Sequence, residues 1–175
     1  NLTNKVEKSI LAANNKKARK KELTQKLYEQ GVNEIGNFSQ RDRFIAGIAL
    51  YAAEGTKTDK SCSFANSDPY IIKFMTSWFQ EFGKVEIAKF RGAIWLHSGL
   101  NESKAKTYWF SITGIPQIHF YKTYIARNKN GSRKVRKKLH DYGVFSLYIN
   151  DVFMLRKIMG WIGGILNKEW YNNAV

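Results

Sequence analysis

An α+β fold, with an antiparallel sheet covered on one face by helices, is what this chain predicts, and three observations carry the prediction. Several stretches place apolar residues three or four positions apart between clear start and stop signals, the mark of amphipathic helices. Between them lie short aromatic and β-branched stretches that alternate, as in Ile94 and Leu96 against Trp95 and His97. That alternation predicts a sheet with one buried face and one working face. Finally, the chain has no Gly-rich phosphate loop and no βαβ fingerprint that would favour a parallel, doubly wound sheet.

Taken in order, residues 1–38 are Lys-rich, with Val6, Ile10, Leu23 and Leu27 as a sparse helical stripe, and read as a basic helical arm or linker. Within it Asn14–Lys21 holds five basic residues in eight, a solvated face or a contact to a DNA backbone. A short helix follows over 39–55: Ser39 and Asp42 form a capping-box signal, and Gly55 sits where a left-handed residue would end the helix. Thr56–Asn66 reads as strand or hairpin. Ser67, Asp68 and Pro69 then open a helix striped by Ile71, Met75, Trp78 and Phe82 and stopped at Gly83. Val85–Ser98 is extended with a turn at Arg91-Gly92, and Asn101–Thr113 is helical, burying Ala105, Trp109 and Ile112 before Gly114 and Pro116. Strands are expected at Gln117–Ala126 and Tyr142–Asn150. The connector 127–138 between them has seven basic residues in twelve, with Asn and Gly. A last helix over 151–166 carries Val152, Leu155, Met159 and Ile162, and 167–175 is expected to be a frayed tail.

Composition narrows the partners. With 29 Lys and Arg against 14 Asp and Glu the formal net charge is +15, which favours a polyanion. An aromatic content of 14% argues against a disordered basic tail, because such rings need burial. A lone Cys62 excludes a disulfide framework and a cysteine zinc site, and points to a reducing compartment. No apolar run approaches membrane-spanning length and no signal peptide is present, so a cytoplasmic, nucleoid-associated protein with no membrane partner is expected. The first residue is Asn1 rather than Met, and a segment upstream is expected.

The helix over 39–55 has an unusual face, with Ala46, Ala49 and Ala53 on one side beside Gly47, and it ends in Glu54, a carboxylate at the negative end of a helix dipole. Small residues let two helices approach closely; the carboxylate asks for a cation nearby. The segment Gly47–Gly55, GIALYAAEG, resembles the LAGLIDADG motif of homing endonucleases in the form whose acid is Glu, with Ala49 in place of the packing glycine, Glu54 as the acid and Gly55 as the final glycine. The order that follows is similar too: a strand, Asn66-Ser67-Asp68-Pro69 opening a helix to Phe82-Gly83, then further strands, over residues 40–165. A second motif is absent. The chain also looks like bacterial and phage proteins that join such a domain to an upstream helix-turn-helix.

The resemblance implies a LAGLIDADG-like fold over 39–166 whose strands form a DNA saddle. It also implies a homodimer with Ala46, Gly47, Ala49 and Ala53 at the interface and two Glu54 carboxylates at its centre. The implied function is a site-specific endonuclease of double-stranded DNA using Mg²⁺ or another divalent cation, with Glu54 as metal ligand and catalytic group and Lys122 as a basic residue near the metal. The same residues allow other readings: alanines packed under the chain's own sheet, Glu54 paired with Lys57, and Lys122 reaching solvent at a sheet edge. Phosphate contacts are expected from Arg127, Lys129, Arg133, Lys134, Arg136, Lys137 and Lys138. Base reading or further contacts fall to Lys57, Lys60, Lys89, Arg91, His97 and Tyr121. His97, His119 and His140 lack the spacing of a ββα-metal nuclease. A DNA-binding regulator without cleavage, or an RNA-binding or splicing module, would share the basic residues.

Overall fold

The computed structural model describes residues 2–57, 61–126 and 140–166. The chain divides into two compact units, 1–40 and 41–175. The first consists of α1 (Leu2–Ile35), a single helix of 34 residues. Its described side chains are exposed on every side, Leu23, Leu27 and Tyr28 included. Such a helix draws support from its own surface: Gln25 donates to Glu29 and Gln30 to Glu34, each at 2.7 Å and four residues apart.

The second unit is α+β. Its elements are α2 (Gln40–Glu54), β1 (Cys62–Asn66), α3 (Pro69–Gly83), β2 (Phe90–His97), α4 (Glu102–Thr113), β3 (Tyr124–Ala126), β4 (Val144–Ile149) and α5 (Val152–Leu166). The sheet has four strands in the order β1-β4-β2-β3. β4 pairs antiparallel with both β1 and β2, but β3 runs parallel to β2, so the sheet is mixed rather than antiparallel. The reversal has a local cause. Residues 117–126 do not form one strand: Gln117–His119 is a 3₁₀ turn, Phe120 makes a single bridge to Gly92, and only Tyr124–Ala126 joins the ladder.

The capping signals at Asp68 and Gly114 act where the sequence places them, and those at Gly83 and Gly55 do not. Asp68 accepts from the Tyr70 and Ile71 N–H groups, Asn101 from Lys104, and Asp151 from Met154. α4 ends on Gly114 in the left-handed region. α3, however, runs through Gly83, and the left-handed residue is Lys84 with φ 55°. Gly55 does not have positive φ either; it pairs with Phe64 in an isolated bridge. Its lack of a side chain serves packing, because a Cβ there would lie 2.6 Å from the Tyr51 ring. The turn expected at Arg91-Gly92 is also absent. Both residues lie inside β2, opposite Tyr148 and Leu147, and Phe145 fills the space where a Gly92 side chain would be.

The core lies between one face of the sheet and the helices. Cys62 and Phe64 of β1, Phe145, Leu147 and Ile149 of β4, and Phe90, Ile94 and Leu96 of β2 all point into it. From the helices come Ile48 and Tyr51, Ile72, Met75, Trp78 and Phe79, Trp109, and Leu155, Ile158 and Ile162. Phe44, Trp78, Phe82 and Trp161 form an aromatic group with ring centroids 5.0 to 6.4 Å apart. The Trp78 indole donates to the Phe44 carbonyl at 3.1 Å, so its polar edge is satisfied inside the core. No helix among the described residues is long and apolar enough to cross a membrane.

Candidate nucleic-acid interface

The other face of the sheet is open, and the pleat decides what stands on it. Register gives three rows across the strands: Ser63, Tyr148 and Arg91; Ala65, Ser146 and Ala93; then Val144, Trp95 and Tyr124. His97 and Ala126 follow at the end. Trp95 is 48% exposed and Tyr124 55%, and their rings lie 4.5 Å apart. Tyr121, just before β3, packs on Tyr148 with centroids 5.7 Å apart, accepts from Asn150 through its hydroxyl, and donates its N–H to Gly92. The alternation of β2 therefore does separate a core face from an open face. Arg91, His97 and Tyr121, named from sequence, share that open face.

Arg91 Nη1 donates to the carbonyls of Ala88 at 2.7 Å and Phe90 at 2.8 Å. This pins the guanidinium at the start of β2 through Nη1, which supplies two of the five N–H donors the group carries. Lys89 is exposed in the 3₁₀ turn Ile87–Lys89 that leads into the same strand. Lys60, Arg127, Lys129, Arg133, Lys134, Arg136, Lys137 and Lys138 lie outside the described residues.

At the opposite edge, α2 delivers Glu54. The helix ends, Gly55 bridges to Phe64, and the Thr56 N–H donates to the Ser63 carbonyl, so one residue separates the carboxylate from the sheet. The Tyr51 hydroxyl donates to the Thr56 carbonyl at 2.8 Å and locks this corner. Lys57 Nζ donates to the Gly55 carbonyl at 2.8 Å rather than to Glu54. Glu54 is exposed and makes no ion pair among the described residues. Beneath the corner, Tyr51 and Cys62 are kept protonated. Burial, then the neighbouring Cys62, pushes the Tyr51 hydroxyl well above its ordinary range, and burial pushes the Cys62 thiol up to about 12.

Two expected assignments are corrected here. Gly47 does not face outward: it is buried, and a Cβ would lie 2.1 Å from the Trp78 indole nitrogen, so its role is internal packing. Ala46, Ala49 and Ala53 do form an outward strip, with Ala49 and Ala53 exposed and Ala46 half-buried. Lys122 is the second correction. It lies two residues before β3, the strand at the far edge of the sheet from Gly55, four strand spacings or roughly 19 Å away. The topology therefore separates Lys122 from Glu54 within one chain. The Glu102 carboxyl of α4 is held below its usual range by Lys106 first, then by Thr123, with Lys122 adding to the field.

Sequence reasoning left Trp95, Tyr124 and Tyr148 out of the candidate site. The signal for Trp95 was present in the alternation of β2. For Tyr124 and Tyr148 the face depends on pairing register, which no local pattern supplies. Among the described residues no group of three or more His, Cys, Asp or Glu side chains is placed to hold a metal ion. Comparison with family models, with curated proteins and with solved structures gives no match, so the site rests on its own residues.

Proposed function

We propose that this chain is one subunit of a homodimeric, divalent-metal-dependent endonuclease of double-stranded DNA, of the LAGLIDADG type. One observation carries the reading: an exposed carboxylate without an ion pair among the described residues, Glu54, ends a helix whose outward strip is alanine and enters the sheet one residue later. Two copies of α2 meeting along Ala46, Ala49 and Ala53 would bring two carboxylates together. The donor chemistry fits Mg²⁺, which takes one or two carboxylates and keeps water and phosphate oxygens as its other ligands. When bound, such an ion supplies an activated water and neutralises charge building on the phosphoryl oxygens.

The chain's own residues would do the rest. Glu54 would hold the ion at the seam. Lys57, tied to the Gly55 carbonyl, would keep a positive charge at the same corner and takes over the part first assigned to Lys122. Lys89 and Arg91 would neutralise phosphates along the sheet.

The test compares wild type with Glu54→Gln on a plasmid library in Mg²⁺, reading nicking and binding separately. Wild type should cut, and Glu54→Gln should lose at least about 10²-fold in cutting, the scale of a lost transition-state electrostatic group, with duplex affinity nearly unchanged. Cutting by the variant at the wild-type rate would sink the assignment of Glu54. Binding by wild type without any cutting would leave a DNA-binding regulator.

A further inference from the structure

The open face carries more exposed aromatic surface than duplex binding through phosphates requires. Trp95 and Tyr124 stand beside each other in one row; Tyr148 and Tyr121 form a second pair beside Arg91. Arg91 and Trp95 are four residue steps apart along β2, so the two aromatic stations lie roughly 13 Å apart along one strand direction. None of Trp95, Tyr121 or Tyr124 is covered: they are 48%, 44% and 55% exposed. Cationic groups flank them, with Arg91 in the row of Tyr148 and Lys89 just before β2. The chain as a whole carries +15.

Rings facing solvent from a sheet, interleaved with cations, match one ligand chemistry: a backbone of phosphates whose bases are free to stack. Paired bases inside a duplex keep their π-faces against each other and offer a sheet only their edges. An apolar protein partner would explain the rings but not the cations around them.

We infer that the open face, with Trp95–Tyr124 and Tyr121–Tyr148 as two stacking stations, takes DNA with unpaired bases. This rests on the nucleic-acid part of the proposed function and deepens it, assigning that face to a locally opened or single-stranded segment. Trp95 is the principal contact, because an indole gives the widest stacking surface.

Fluorescence anisotropy with the full chain tests this, using a labelled 12-nucleotide single strand, its duplex, the same strand with abasic sites, and its ribonucleotide counterpart. Trp95→Leu and Tyr124→Leu should each weaken the single strand by about 5- to 150-fold, the range for one lost base stack. Trp95→Phe should restore most of that loss, and duplex affinity should fall by less than single-strand affinity does. A thermal melt of each variant matching wild type shows that the fold persists, as expected for exposed side chains. The inference is overturned if both leucine variants hold the single strand as wild type does, if the abasic strand binds equally well, or if the ribonucleotide strand binds more than about 10-fold tighter. Duplex cutting that survives alongside any of these outcomes leaves the endonuclease reading standing. Binding to no nucleic acid removes both.

Discussion

At the scale of single residues, glycines divide this chain's apparent motif into parts with different physical jobs. Gly47 and Gly55 bracket a segment that reads as one interface signature, yet each answers to a ring of its own chain. Trp78 occupies the space beside Gly47, and Tyr51 the space beside Gly55. Trp78 is fully buried and its indole is committed to the Phe44 carbonyl, so it cannot swing aside without losing both packing and a hydrogen bond. Gly47→Ala is therefore expected to destabilise the fold by about 1–3 kcal/mol as an overpacked core site, although alanine would otherwise favour the helix by roughly 1 kcal/mol. Urea denaturation followed by Trp fluorescence reads this directly. A variant as stable as wild type would mean that Trp78 has another low-energy position.

At the scale of elements, α2 is a helix with two different faces. Ile48 and Tyr51 are buried in the core, while Ala49 and Ala53 remain exposed. Its inner face is anchored by Arg43, which pairs with Glu81, donates to Ser77 and lies 4.9 Å from the Phe74 ring centre. The anchor fixes the helix rotation on α3 and thereby which residues point outward. A large charged side chain on the alanine strip should leave the fold intact and block a second helix. Ala49→Glu is expected to keep its melting temperature within a few degrees and to shift the chain from dimer to monomer in sedimentation equilibrium. Unchanged self-association in that variant would remove the strip from the interface.

On the scale of the whole molecule, the basic residues and the exposed rings of the open sheet lie largely on different parts of the chain. The basic segment 127–138 joins β3 to β4 and lies outside the described residues, while the described open face carries few cations among several rings. Neutralising phosphates releases counterions, so binding should weaken steeply with salt, by roughly 0.9 in the log–log slope for each phosphate contacted on a duplex. Replacing Arg133, Lys134, Arg136, Lys137 and Lys138 with Ser is expected to lower that slope by several contacts. Isothermal binding to duplex DNA from 50 to 300 mM salt measures it, and an unchanged slope would place the phosphate contacts elsewhere.

The helices, their caps at Asp68, Asn101 and Gly114, and the core stripe of Met75 and Trp78 were legible from the sequence because each depends on neighbours within a turn or two. So was the two-faced character of β2, since alternation is local to a strand. Residue order alone could not tell that β3 runs parallel to β2, that Lys122 stands at the far edge from Glu54, or that Tyr124 and Tyr148 share a face with Trp95. Those facts depend on which strands pair and in what register, a choice made by long-range burial of Phe145, Leu147 and Ile94 against the helices. Composition and local pattern thus determined a basic α+β chain with an acid at a helix end. Tertiary packing decided that the motif's inner glycine belongs to the core and that aromatic rings, more than lysines, occupy the described part of the open sheet.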